Sequence, residues 1–240
     1  MCWCQVQEEH RQPLRRQVQI VTEAAHLAMQ SALLRQLALA KKSRSTLFPF
    51  IGRSAQFLAW QHYPGNDAID TTAAWQFYYH AHESDCEGGV RHPREHGHIH
   101  LFRRSAKGLL SHLAGLSLDA RGIPLTWFAC NQWVTGERWR TGADMGRGLH
   151  TLTLEVRGPL AGAAKWLADL VRGYARPLQE MLLARDTALA TYCQQRQVSS
   201  TQAMNDRSIA VWSSFPISWP DDAVALRGQV CTYDNPRRSL

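Results

Sequence analysis

Two short stretches decide the fold: Ala74–His82, AWQFYYHAH, and Glu95–Arg103, EHGHIHLFR. Both are rich in residues that favour strands, and both alternate with a period of two. Successive side chains on a strand point to opposite faces. His96, His98 and His100 therefore share one face with Phe102. Gly97, Ile99 and Leu101 take the other, which reads as the core side. On the earlier run His80 and His82 share a face with Gln76 and Tyr78. Thirteen residues separate His82 from His96. Antiparallel pairing of the two runs is expected to crowd five imidazoles onto one patch of sheet.

Working outward, Glu83–Glu95 reads as a polar loop, with Gly88-Gly89 and Pro93. Ser111–Asp119 and Ile123–Cys130 flank Ala120-Arg121-Gly122, a compact hairpin loop with a glycine available for positive φ. Leu149–Val156 alternates and is expected to be a further strand, and Arg207–Phe215 a last one. Near-helical spacing of Leu14, Val18, Val21, Ala25, Ala28, Ala32 and Leu37 predicts a helix from about Pro13 to Lys42, with proline at its start. A connector punctuated by Pro49, Gly52, Pro64 and Gly65 follows, with a short helix expected near Ser54–His62. After Gly158-Pro159 a second long helical segment runs from Leu160 to Gln195, and Pro177 should kink or split it. Arg185-Asp186 and Asp206-Arg207 read as ion pairs or caps.

Helices do not alternate with strands, so a parallel βαβ arrangement is disfavoured. The order predicts an α+β fold, an antiparallel sheet carrying a histidine-rich face and flanked by long helices in the N-terminal part and the C-terminal half. The expected organisation is a single domain over 1–240. It divides into an N-terminal helix (1–45), the sheet core (74–156), a helical segment (158–196), and a last strand with an irregular tail (207–240).

Composition narrows the classes. With 240 residues, 45% hydrophobic and 20% charged, the chain is ordinary globular material and long enough to bury about 70% of its unfolded surface. Nine tryptophans argue against disorder. The formal net charge is +7, which favours an anionic partner without dictating a fold. The basic residues lie in small scattered groups, such as Lys41-Lys42 and Arg103-Arg104, with no block resembling a nucleic-acid arm and no nucleic-acid module. Specific nucleic-acid binding is not expected. A small-molecule or peptide substrate, or a protein partner, fits better. No apolar run reaches the roughly 20 residues of a membrane helix, and the first ten residues do not read as a signal peptide. The expected location is cytoplasmic. The six cysteines (2, 4, 86, 130, 193 and 231) read as reduced and structurally idle, Cys2-x-Cys4 included.

Several imidazoles together repel once protonated and stay favourable only when neutral and paired or coordinated. Imidazole suits Zn, Fe, Cu and Ni. The pattern points to a transition-metal site, Fe or Zn foremost, with ligands drawn from His80, His82, His96, His98 and His100. An open three-ligand centre would permit metal-dependent hydrolase or oxygenase-type chemistry, whereas a closed one would be structural. Candidate catalytic residues are His98, Glu95 and Glu137. Strict alternation turns Glu95 away from His96, which casts it as a supporting residue or one bent back from the loop; Glu83 lies past the strand end. The competing readings are a ligand-free histidine ladder, metal-free acid/base catalysis and a non-catalytic metal-binding or partner subunit. In Asn131–Trp139, NQWVTGERW, the residues Asn131, Thr135, Glu137 and two tryptophans either line a pocket over the histidine face or serve a turn and the core edge.

His96-Gly-His98-Ile-His100-Leu-Phe102 resembles the His-φ-His-φ-His-φ-φ signature of the histidine-triad nucleotide hydrolases and transferases. That resemblance implies a nucleophilic role for His98 on an α-phosphate. The departures are a glycine at the first φ position, no upstream phosphate segment, a mid-chain strand, and no role for His80 and His82. His-x-His on a strand is also similar to cupins, but the later Glu and His do not follow their spacing. A further resemblance covers the middle third of the chain. It is to an uncharacterised bacterial family, one of the domains of unknown function. The shared signature is His80-Ala-His82, Glu95-His-Gly-His-x-His-x-Phe102, Asp119-x-x-Gly122 and Asn131-x-Trp-Val-Thr-Gly-Glu137. It implies a family membership and no mechanism.

Overall fold

The computed structural model describes residues 23–52, 58–72, 74–82 and 92–222, with the main-chain pairing of Gln12–Pro13. Expectations for residues outside these ranges, among them Glu83 and four of the six cysteines, lie outside the described residues.

Seven strands form one sheet: β1 (Gln12–Pro13), β2 (Tyr63–Ile69), β3 (Trp75–His80), β4 (Gly97–Arg104), β5 (Leu110–Leu118), β6 (Pro124–Cys130) and β7 (Val211–Pro216). Their order is β1-β7-β6-β5-β4-β3-β2. Strands β2 to β7 pair antiparallel, and only the two-residue β1 runs parallel, to β7. The helices are α1 (Glu23–Ala40), α2 (Phe48–Ile51), α3 (Gln132–Thr135), α4 (Gly142–Met145), α5 (Ala161–Gly173), α6 (Ala175–Arg196) and α7 (Ser200–Met204). The fold is α+β, as the element order implies.

One face of the sheet builds the main core. Phe77, Tyr79, Ile99, Leu101, Leu116 and Trp127 pack with Trp166, Leu167 and Leu170 of α5 and Leu178, Met181 and Leu182 of α6. α1 lies against α5. A side chain at Gly173 would meet Met29 Sδ at 2.2 Å, so the glycine allows the close approach. The buried Asp169 joins these two helices. It accepts from Ser31 Oγ (2.7 Å), Arg35 Nε (3.0 Å) and Arg172 Nη2. The hairpin between β5 and β6 turns at Gly122, φ +75°. Asp119 Oδ1 accepts from the amides of Arg121 and Ile123 at 2.8 and 2.9 Å, which closes the turn.

Three sequence expectations need correction. The first helix does not start at Pro13, which pairs with Ser214 in the sheet; its described span is Glu23–Ala40. No helix covers residues 58–62; the connector helix is α2, whose Pro49 sits in its first turn. Leu149–Val156 is not a strand. It begins as a 3-10 turn (Leu149–Thr151) and continues as extended chain without a ladder. Leu152 and Leu154 are buried while Thr153 and Glu155 are exposed, so the alternation is real. The carbonyls go instead to Arg172 Nη1 (Leu152 O, 2.9 Å) and the Thr71 amide (Glu155 O, 2.7 Å). Period-two burial reports an extended chain with one covered face and is silent about its hydrogen-bond partner. Strand β2 escaped notice because YPGNDAI carries turn residues. It is an edge strand whose register breaks between Tyr63 and Ala68, and an edge tolerates proline. The long C-terminal helical segment does split, at Tyr174, with Pro177 in the first turn of α6.

Truncating Asp169 to alanine strands Arg172 and Arg35 without their acceptor at the α1–α5 joint. Asp169 is buried but both arginines are partly exposed, so the loss of its hydrogen bonds costs about 1–2 kcal/mol. The expected outcome is a loss of that size in urea-denaturation midpoint stability.

Candidate metal centre

The second face of the sheet is as dry as the first. Tyr78, His80, His98, His100, Phe102, His112, Phe128 and Cys130 are all buried. Register explains the grouping. His80 stands opposite His98 and Tyr78 opposite His100 on the β3–β4 ladder. Gly115 and Ser117 of β5 flank His100 and His98 from the other side, and Phe128 of β6 faces Gly115.

The imidazoles form a connected chain. Glu95 Oε1 lies 2.8 Å from His98 Nδ1, and Glu95 Oε2 accepts from Ser117 Oγ at 2.5 Å. His98 Nε2 faces His80 Nε2 at 2.6 Å. His100 Nδ1 lies 2.9 Å from His112 Nε2. Candidate ligand atoms of His80, His98 and His100 lie within 4.8 Å of one another, and so do those of His100, His112 and Cys130. His100 belongs to both groups. Two imidazole nitrogens 2.6 Å apart cannot both present lone pairs without repulsion, so one of them carries the hydrogen that the other accepts. Three aromatic rings wall the cluster. Phe128 is 5.5 Å from His98 and 6.0 Å from His100, Tyr78 is 5.3 Å from His80, and Phe102 is 5.2 Å from His112 (ring centroids).

Burial favours the neutral forms of three groups on and beside this face, His112, Tyr78 and Glu137. Burial pushes His112 down to about 3, and the nearby Arg185 guanidinium adds to the effect. Tyr78 is held above the usual phenol range, first by burial and then by Cys130, Asp67 and Glu137. Burial also raises the Glu137 carboxyl. The Thr135 hydroxyl, the backbone amides of Glu137 and His112, and Arg185 oppose the rise.

The residues singled out in the sequence fall into distinct places. His80, His98 and His100 come together as expected. His82 sits at the rim, 5.2 Å from His98 between ring centroids, with the Trp60 ring 4.1 Å away. His96 leaves the group. It precedes the first residue of β4, so strand alternation does not bind it, and its Nδ1 lies 2.5 Å from the Tyr79 hydroxyl on the core face. Gly97 makes this possible, since a Cβ there would stand 2.4 Å from that hydroxyl. Glu95 bends back from the loop to hold His98, the supporting placement its position allowed. Glu137 lies at the far end of the cluster, where its Oε1 accepts from the His112 amide at 3.3 Å. Asn131 serves the turn: its Oδ1 accepts from the Gln132 amide, and its Nδ2 donates to the carbonyls of Ala203, Asp206 and Ile209.

Sequence reading missed His112 and Cys130. Simple alternation along β5 places His112 with Ala114 and Leu116 on the core face. The register shifts between Leu101↔Ala114 and Phe102↔His112, leaving Leu113 as an extra residue. That bulge turns His112 over to the histidine face. Cys130 shares a face with Thr126 and Phe128 by ordinary alternation, but nothing in the sequence shows that β6 lies beside β5 with Phe128 against Gly115.

A Cβ at Gly115 would lie 2.2 Å from the Phe128 ring. Gly115→Val should drive Phe128 off His98 and His100. The expected result is about 1–3 kcal/mol of lost stability in chemical denaturation, with a changed near-ultraviolet circular dichroism spectrum.

No curated protein and no solved structure matches the chain. Among the described residues, no helix is long and apolar enough to cross a membrane. The family described as a domain of unknown function, DUF6969, matches residues 26–217. That span takes in the whole buried histidine cluster, from His80 to Cys130, and with most of its length matched the chain belongs to this family.

Proposed function

We propose that this protein binds one transition-metal ion, Zn or Fe, through His80, His98 and His100, and that the ion serves a metal-dependent reaction on a small molecule. The observation that carries this reading is the convergence of three buried imidazoles, two of which have their outward nitrogen held by a neighbour. Glu95 occupies His98 Nδ1 and His112 occupies His100 Nδ1. With Nδ1 of His98 turned to Glu95, its Nε2 faces His80 Nε2 across the ladder. A carboxylate on the far nitrogen of a ligating histidine fixes its tautomer and raises its basicity. Three neutral nitrogen donors match Zn or Fe chemistry, and three protein ligands leave a position for water or substrate. An ion at about 2.0–2.1 Å from each nitrogen needs them roughly 3.3 Å apart in a tetrahedral arrangement. The 2.6 Å between His80 and His98 must then widen by less than 1 Å, within the reach of small side-chain rotations. A bound ion there acts as a Lewis acid or lowers the pKa of bound water.

A second reading draws on the same distances. Glu95, His98 and His80 form a linked carboxylate–imidazole–imidazole chain at 2.8 and 2.6 Å, suited to moving a proton without metal. A histidine-triad nucleophile is less well served. The nucleophile would be His98, and both nitrogens of that ring already face protein groups, Glu95 at 2.8 Å and His80 at 2.6 Å.

Elemental analysis of the purified chain, reconstituted with Zn or Fe, tests the proposal. Near-stoichiometric metal is expected in the wild type and in His96→Ala and Cys130→Ser, with loss in His98→Ala and His100→Ala. Glu95→Gln should weaken affinity by about ten- to a hundredfold. Retention in His80→Ala with loss in Cys130→Ser would move the ion to the His100, His112 and Cys130 group. No metal in any form would sink the reading and leave the proton chain.

A further inference from the structure

A second site lies on the core side of the β4–β5 end, away from the imidazoles. Arg103 and Ser111 stand opposite each other on that ladder. Together with the segment Arg138–Thr141 and Asp144 of α4, they line a cavity of about 450 Å³. That volume falls within the range of about 300–1,000 Å³ typical of small-molecule pockets.

Its charge is lopsided. Three arginines, Arg103, Arg138 and Arg140, face one carboxylate, Asp144. That carboxylate is shared: Arg147 Nη2 lies 3.0 Å from Oδ1 and Arg140 Nη2 lies 3.8 Å from Oδ2. Arg103 donates to the Asp144 carbonyl at 3.2 Å and lies 5.5 Å over the Trp75 ring. The Arg138 guanidinium makes no hydrogen bond or ion pair among the described residues, although its backbone amide is anchored on Leu110 O at 3.0 Å. Positive charge thus exceeds what the protein neutralises. Burial and the fields of Arg140 and Arg147 press on Arg103, while Asp144 opposes them. The wall is also braced. Arg185, buried and paired with Asp186 at 2.6 Å, donates to Arg140 O at 2.6 Å and lies 4.1 Å over the Trp139 ring. A structural arginine is normally matched by a carboxylate or a set of carbonyls. Arg138 is exposed and Arg140 partly so, and a hollow where such guanidinium donors converge suits an anion with several acceptor oxygens.

We propose that this cavity binds a small molecule through a phosphoryl group, gripped by Arg103, Arg138 and Arg140, with the Ser111 and Thr141 hydroxyls at hand. A dianion offsets the formal excess of two positive charges in the lining, whereas a single carboxylate offsets half of it. The assignment does not depend on the metal reading. The two sites lie on opposite faces of β4 and β5, and they meet at the segment that places Glu137 against the His112 amide and its neighbours Arg138 and Arg140 against the cavity.

The test is calorimetric titration of the chelator-treated full chain with inorganic phosphate, beside acetate at matched ionic strength. Chelation removes any contribution from a metal in the histidine cluster. Saturable one-to-one phosphate binding is expected, weakened about tenfold or more in Arg138→Gln and in Arg140→Gln, since each removes charge-assisted hydrogen bonds. Arg157→Gln, an exposed site outside the cavity that takes the same charge from the chain, should bind as the wild type does. Arg138 has no side-chain partner to lose, so its variant keeps the fold intact. Absence of saturable binding, equal weakening by Arg157→Gln, or acetate binding as tight as phosphate would each overturn the proposal.

Discussion

A buried imidazole nitrogen left without a partner costs about 1–3 kcal/mol, and β4 buries two imidazoles side by side in the interior of a sheet covered on both faces. His98 is fully buried and His100 nearly so. Burial takes them away from bulk solvent, and neighbouring side chains meet their nitrogens. Glu95 is drawn back from its loop to His98, His80 is set against His98 across the ladder, and the β5 bulge delivers His112 to His100. Each of these placements looks unrelated when read along the chain. Together they answer one requirement, that every buried ring nitrogen on this face meets a proton, a carboxylate, another imidazole or a metal ion.

The rest of the fold makes that face possible by keeping the other one conventional. α5 and α6 cover the Phe77, Tyr79, Ile99 and Leu101 side with aliphatic and aromatic surface. That apolar burial supplies the stability against which a polar cluster can be held. Close contacts are managed with two glycines. Gly97 admits the Tyr79 hydroxyl, and with it the departure of His96 to the core face. Gly115 admits the Phe128 ring that closes the cluster on the β6 side. Small residues at these positions let the strands carry large rings without spreading apart.

The segment after β6 divides its side chains between two environments. Asn131 and Trp133 tie it to the loop around Ile209, Glu137 turns toward the buried face, and Arg138 and Arg140 line the cavity at the sheet end. Arg185 supports both directions, since its field reaches His112 and Glu137 while its guanidinium braces Arg140 and Trp139. The net charge of +7 therefore has at least one local expression in an organised basic hollow, where a purely compositional view sees only scattered arginines.

Much of this was readable from residue order. Alternation in AWQFYYHAH and EHGHIHLFR specified two strands, and their proximity along the chain made antiparallel pairing of the two runs the natural outcome. Glycine and aspartate chemistry at Asp119–Gly122 specified the turn, and Pro177 marked the helix break. Those features are local, and local sterics and hydrogen bonding determine them. The tertiary structure alone decided which extended segments found partners. The period-two pattern at Leu149–Val156 became an unpaired extended chain, while the turn-rich YPGNDAI became an edge strand. It alone decided that Leu113 would be the extra residue in β5. A one-residue shift sends a side chain to the opposite face, so that bulge moved His112 from the core side to the imidazoles, while the pairing of β6 beside β5 brought Cys130 within reach of the same cluster. Register is a relation between strands, and no single strand's sequence contains it.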